Sequence, residues 1–206
     1  MADVLQLIKE RRSASNFIPN QPISKSELDE IFEYVKLAPS AFNLQHTRYH
    51  AVLDEDKKTA LLEAAYGQYK VKSSSAVIIV TGDRKAFQQA GDIYKGLHLL
   101  GMVNKQEYDL MVNDTLTFYQ SRGEAFQRDE AIRNGALSAM LFMLVAKEKG
   151  WDTCPMIGFD PAQVKEIIGS DDQSEVTMMI TVGKEKVESR KPRGYRKPVN
   201  EFVRYL

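Results

Sequence analysis

Three stretches of this sequence carry side chains whose types and spacing suit chemistry. Arg11, Arg12 and Ser13 stand together near the start. Two guanidinium forks beside a hydroxyl suit a phosphate monoester, because each fork donates to two oxygens at once. Near the end, Arg190, Lys191, Arg193, Arg196 and Lys197 gather within a few residues, and Arg193 and Arg196 are placed to approach the same anion from another side. Each cluster taken alone also reads as a solvated basic patch. The second stretch is Ala38-Pro39-Ser40-Ala41-Phe42-Asn43-Leu44-Gln45-His46. Its Ser40, Asn43 and Gln45 can read a flat heterocycle by its edge donors and acceptors, or form a polar turn leaving a helix. In the third, Thr153 to Asp160, Gly158 permits close backbone approach to a ligand and neighbouring N–H groups can face an acceptor atom. An ordinary turn between helices is the other reading.

Several familiar constellations are missing from the sequence. It has no G-x-G-x-x-G, no P-loop and no G-x-S-x-G elbow, which removes a Rossmann nicotinamide domain, a Walker phosphate site and a serine hydrolase. His46, His50 and His98 lack metal-ligand spacing with Cys154 or with paired carboxylates, so no metal is expected and each reads as a surface or hydrogen-bonding histidine. Cys154 is the single cysteine, read as a buried small hydrophobe. It excludes an intramolecular disulfide and suits a reducing compartment. Lys plus Arg equals Asp plus Glu at 28 each, giving no reason to expect nucleic acid. Met1-Ala2-Asp3 lacks a basic region leading into an apolar run, and no segment approaches the roughly 18 apolar residues of a membrane span. The expectation is a cytoplasmic protein without an export signal.

The elements that must position these stretches follow from pattern. Val4, Leu5, Leu7 and Ile8 predict a first helix running into Arg11-Arg12. Leu28, Ile31, Phe32 and Val35 recur at helical spacing behind a Ser24–Glu27 capping box, and Pro39 ends what they begin. Tyr49 to Leu53 predicts a strand and Lys57 to Ala65 a helix. Ala76 to Gly82, β-branched and apolar on both faces, predicts a buried central strand. Arg84 to Lys149 is helical in pattern; Ile132, Ala136, Leu137, Met140, Leu141, Leu144 and Val145, widened by Phe142 and Met143, predict a last helix buried on most sides and capped by Gly150. Asp160-Pro161-Ala162-Gln163 starts another short helix, and Val176 to Val182 predicts a final internal strand. Helices outnumber strands and cluster in sequence, so the class is α+β with a small sheet in one domain over residues 1–206. The end, Phe202-Val203-Arg204-Tyr205-Leu206, needs a surface to lie on, and another subunit offers one.

These pieces, in this order, resemble the FMN-dependent nitroreductase family from end to end. Arg11-Arg12-Ser13-Ala14-Ser15-Asn16-Phe17 is similar to its opening R-R-S-x-R-x-[FY]. Ala38 to Gln45 resembles A-P-S-x-x-N-x-Q, Asp152 to Phe159 resembles D-T-x-P-I-G-G-F, and Tyr195-Arg196-Lys197-Pro198 matches the closing Y-R-x-P. Gln68 followed by Ser73-Ser74-Ser75-Ala76-Val77-Ile78 resembles a flavin-contacting turn and the strand after it. The resemblance implies a nitroreductase-like fold, with a small, mostly antiparallel sheet among helices and a tail over 184–206 exchanged in a homodimer. It implies FMN bound by Arg11, Arg12, Ser13, Ser15, Gln68, Pro155, Met156, Ile157, Gly158, Arg193, Arg196 and Lys197, with Pro39, Ser40, Ala41, Asn43 and Gln45 reaching the flavin held mainly by the other subunit.

The implied reaction takes hydride from NADH or NADPH and reduces nitroaromatics, quinones or similar flat acceptors in turn at one site, without a catalytic side chain. The sequence departs from the family at Ser15, where a basic residue is usual, at Gly67, where Asn is frequent, and at Ile157, which takes the first position of the G-G pair. His46 stands for a frequent proline and Thr47 for an often aromatic residue. Ser15 and Gly67 keep open a protein that sequesters or senses FMN with little turnover, and the shared fold keeps open a flavin enzyme of different chemistry.

Overall fold

The computed structural model describes residues 4–206, so the reading of Met1-Ala2-Asp3 lies outside the described residues. Ser24 caps α2 (Lys25–Val35) through a complete capping box, its Oγ accepting from the Glu27 N–H and its own N–H donating to the Glu27 carboxylate. α1 (Val4–Glu10) precedes it. Four strands follow in an antiparallel sheet: β1 (Thr47–Val52), β2 (Ala76–Asp83), β3 (Asp152–Met156) and β4 (Ser174–Gly183), in spatial order β1-β2-β4-β3. β2 is buried from Ala76 to Gly82, as its two-faced apolar run demands.

Alternation along β2 divides the core in two. Val77 and Ile79 face a cluster with Leu61, Ala64, Val71, Val164 and Met179, delivered by α3 (Glu55–Ala64), α4 (Tyr69–Ser73), α7 (Pro161–Ile168) and β4. Ile78 and Val80 face the other way, onto Ile31, Val35, Phe142, Ala146 and Ile180. A third, aromatic cluster joins Phe87, Tyr94 and Tyr119 where α5 (Ala90–Leu99) packs on α6 (Lys105–Glu148). A short tail helix, α8 (Val199–Phe202), comes last.

Two expectations are corrected. The Thr153–Asp160 segment is not a turn between helices: Asp152–Met156 is the strand β3, and its edge position tolerates Pro155, which has no N–H to give a ladder. The second half of α6 is not buried on most sides. Its inner face is Ala131, Asn134, Gly135, Ser138, Ala139, Phe142, Met143 and Ala146, while Leu137 and Met140 are 50% and 41% exposed. Small residues face inward because the helix lies almost on the sheet: a Cβ at Gly82 would stand 2.2 Å from the Ala131 carbonyl oxygen. Gly123, at φ 76 and ψ −178, breaks the helical path of α6 and separates its sheet-packed half from the half that packs on α5. Farther along α6 a groove of about 520 Å³ is lined by Val4, Leu7, Tyr34, Leu141, Leu144 and Val145, with Glu148 and Lys149 at its charged side.

Candidate functional site

The opening segment runs along the outer edge of β3. Ser13 forms an isolated parallel bridge to Thr153, the Ala14 N–H donates to the Thr153 carbonyl at 3.0 Å, and Ala14 and Phe17 are buried in the core. This fixes Arg11 and Arg12 at the strand's end. The tail folds back over them: Arg12 Nη2 donates to the Lys191 carbonyl at 2.9 Å, and Arg193 Nη2 donates to the carbonyls of Lys9 and, at 3.3 Å, Arg11. Three guanidiniums therefore converge. Burial lowers the Arg11 pKa, and the nearby charges of Arg193 and Arg196 lower it further against a small opposing effect of Cys154. Arg11 Nη1 is buried without a hydrogen-bond partner, and so is Thr153 Oγ1. Among the described residues no carboxylate pairs with Arg11, Arg193 or Arg196. Ser13 and Lys197 are exposed beside this cluster in sequence.

Lys70 joins the same neighbourhood, its Nζ 3.5 Å from Cys154 Sγ. Sequence reasoning passed over it; the available signal was a cation two residues past Gln68 at the start of α4. Cys154 itself is buried and free, as expected. Gln68 reaches across with its Nε2 to the Gly158 carbonyl at 2.8 Å and the Ala65 carbonyl at 3.2 Å, which ties the turn after β3 to the start of α4. Gly67 precedes it at φ +72, a turn geometry that suits glycine where the family has Asn. Met156 buries its side chain in the core and Ile157 turns its side chain outward at 82% exposure, so these positions offer a ligand chiefly their backbone. Pro155 and Ser15 are half-buried at the same edge.

The Pro39 loop is placed by other elements. Ala41–Asn43 forms one 3-10 turn after Ser40, and the Ser40 Oγ accepts from the Gln45 N–H at 3.0 Å. The Ala41 N–H donates to Asn134 Oδ1 of α6 at 2.8 Å, and Tyr94 Oη of α5 donates to the Phe42 carbonyl at 3.1 Å. Phe42 packs its ring on Phe118 and Tyr119, leaving the side chains of Asn43 and Gln45 exposed. His46 is not a surface residue. It is 1% exposed with Nε2 3.3 Å from Tyr119 Oη, and burial pushes its pKa down to about 4. His50 meets Thr81 Oγ1 at 3.2 Å, and His98 meets the Val103 carbonyl at 3.1 Å. The two halves of the site thus hang from separate parts of the fold, the arginine cluster from β3 and the loop from α5 and α6.

The model of the nitroreductase family matches residues 8–184, spanning the arginine segment, the Pro39 loop, the Gln68 turn and the whole sheet. The chain belongs to the nitroreductase family. Its α+β architecture, with four antiparallel strands among helices, is the nitroreductase-like fold. A Bacillus subtilis (strain 168) relative, MhqN, described provisionally as an NAD(P)H nitroreductase, is 68% identical over the full length of both chains. A crystal structure of a Bacillus subtilis protein, ydfN, described provisionally as a nitroreductase, superposes with a TM-score of 0.96 at 67% identity, covering 98% of each chain. A provisionally described nitroreductase from Exiguobacterium sibiricum, solved in complex with FMN, superposes with a TM-score of 0.91 at 32% identity over 100% of this nitroreductase-family chain and 98% of its own. No helix among the described residues is long and apolar enough to cross a membrane.

Proposed function

We propose that this chain is an FMN-dependent oxidoreductase that takes hydride from NADH or NADPH and reduces flat acceptors such as nitroaromatics and quinones, working as a homodimer in the cytoplasm. The observation that carries the reading is Arg11 Nη1, buried and partnerless, with Arg193 and Arg196 crowding it. Like charges gathered by folding call for an anion, and a phosphate monoester has enough oxygens to accept from all three forks. Thr153 Oγ1, buried without a partner, adds a donor. The residues present therefore fit the phosphate of FMN, and the FMN complex of the Exiguobacterium relative supports the assignment.

When bound, FMN supplies the two-electron hydride chemistry. The chain's residues bind and orient. Arg11, Ser13, Arg193 and Arg196 hold the phosphate, with Arg12 and Lys197 adding to the field. Ser15, Gln68, Lys70 and the backbone of Pro155, Met156, Ile157 and Gly158 hold the ring side. Pro39, Ser40, Ala41, Asn43 and Gln45 come from the second subunit, as the likeness of this loop to the family's A-P-S-x-x-N-x-Q implies; within its own chain the loop is anchored on α5 and α6. Donor and acceptor use the site in turn, because the chain carries no separate nicotinamide fingerprint.

Residues 1–206 form one domain, and the tail over 184–206 crosses to the partner. Tyr205 and Leu206 are 87% and 110% exposed in the single chain, and the groove of Val4, Tyr34 and Leu141 is uncovered, so both gain from a second copy. The deciding experiment is the absorbance spectrum of purified protein followed anaerobically. Added NADH or NADPH should remove the flavin bands, a quinone should restore them, and double-reciprocal plots should be parallel. Protein that stays colourless with added FMN overturns the reading; tight FMN that no nicotinamide reduces transfers it to the sequestering alternative.

A further inference from the structure

The Pro39 loop is strained: Phe42, Asn43 and Gln45 all stand in the left-handed region, at φ 54, 53 and 50, without a glycine among them. Such backbone persists only where its surroundings over-determine it. Here they form a ring of buried polar groups. The Ala41 N–H donates to Asn134 Oδ1 at 2.8 Å, and Asn134, 2% exposed, donates through Nδ2 to the Glu130 carbonyl at 2.7 Å and to Glu130 Oε2 at 3.4 Å. A donor on one side and two acceptors on the other allow a single amide orientation, since the flipped amide would set N–H against N–H. Glu130 is buried as well; Arg133 pairs with its Oε1, and Tyr119 Oη donates to its Oε2 at 3.4 Å. With its proton committed to Glu130, the Tyr119 oxygen accepts from His46 Nε2–H at 3.3 Å, and His46 is the residue after Gln45. The path from Ala41 through Asn134, Glu130 and Tyr119 returns to the chain at His46, bracketing the strained residues.

We propose that Asn134 is the positioning residue of this loop, fixing Ser40, Asn43 and Gln45 in the geometry with which they contact FMN of the partner subunit. The proposal rests on the reading of the loop as a cofactor contact. Among the described residues no side chain other than Asn134 accepts the Ala41 N–H, and the Asn134 amide is held from behind by Glu130. Asn134 acts through the loop backbone, its amide being spent on the Ala41 N–H and on Glu130.

The test uses the full-length FMN-loaded protein and two readouts, the exchange rate of the Ala41 amide proton and the rate of FMN release. Asn134→Leu keeps the branched shape of the side chain and removes the acceptor. Ala41 exchange should rise about tenfold, as for one buried hydrogen bond lost, with FMN release faster by a similar factor and the amides of β2 unchanged. The paired variant Asn134→Asp with Glu130→Gln keeps an acceptor for the Ala41 N–H but loses the donor to the Glu130 carbonyl, so both rates should fall between wild type and Asn134→Leu, a ranking that a merely steric role would not give. If Asn134→Leu fails to fold, Asn134→Ser carries the same two measurements. Unchanged Ala41 exchange overturns the proposal. So does unchanged FMN release in Asn134→Leu when Gln45→Ala and Ser40→Ala speed it. If Gln45→Ala and Ser40→Ala also leave release unchanged, the loop does not contact FMN, and the reading beneath the proposal falls with it.

Discussion

At the edge of β3, folding gathers Arg11, Arg193 and Arg196 and leaves Arg11 Nη1 without a partner; in the Pro39 loop, it commits the Ala41 N–H, the Phe42 carbonyl and the Gln45 N–H to internal bonds. The first region is incomplete by charge and the second by shape. An anion relieves the arginine cluster wherever it comes from, because guanidinium forks tolerate variation in approach. The loop has already satisfied these backbone groups, so what it offers is the placement of exposed amides. Binding strength is expected to come from the first and orientation from the second.

The largest expected effect tests whether the two regions meet across a dimer. Leu141→Asp together with Leu144→Asp places carboxylates in the mostly apolar groove beside α1, and desolvating them against a second copy costs several kcal/mol. Sedimentation velocity at low micromolar concentration should show monomer that has lost FMN. A monomer saturated with FMN would break the comparison, because one subunit would then hold the flavin unaided.

Acid should separate the regions next. His46 has its pKa pushed down to about 4 by burial, against 6.5 in an unfolded chain, so below pH 6.5 the unfolded state binds a proton that the folded state refuses. The stabilising contribution is complete above pH 6.5 and fades as pH falls toward 4, by up to about 3 kcal/mol. Urea midpoints at pH 7 and 4.5 should fall less far apart in His46→Gln than in wild type; an identical drop in both would remove His46 from the account.

Smaller effects sharpen the assignment of strength and orientation. Arg11→Ala and Arg196→Ala should each weaken FMN binding by about 1.5–3 kcal/mol, the worth of a charge-assisted contact, and the double substitution by less than their sum. Wild-type affinity in the double variant would remove the phosphate from this place. Tyr94→Phe deletes only the hydroxyl that holds the Phe42 carbonyl, about 1 kcal/mol, and should raise the KM for the acceptor more than it weakens FMN binding. The reverse ranking would mean that the loop supplies strength after all.

How much was legible depended on the reach of the interaction. The Ser24–Glu27 capping box, the Asp160 cap of α7 and the end of α6 at Gly150 are decided within four residues, and each stands where the pattern put it. β2 was legible because a strand buried on both faces must be apolar at every position. β3 was not, because Pro155 disguises it and only its edge position makes proline acceptable. Asn134 gave no local sign and Lys70 only its place two residues past Gln68: one meets Ala41 across 93 residues of chain and the other meets Cys154 across 84.

By itself the sequence determined the starts of α2 and α7, the central strand, the basic and amide-bearing segments and, through their order, the family. These rest on short-range backbone preferences and on which residue types the chemistry accepts. Only the tertiary structure decided which way α6 faces. Its Leu and Met stripe satisfies a helical period just as its Ala, Gly and Ser stripe does, and periodicity cannot choose between them. The close approach of Gly82 to Ala131 chose, because a helix so near the sheet admits small side chains toward it and turns Leu137 and Met140 outward.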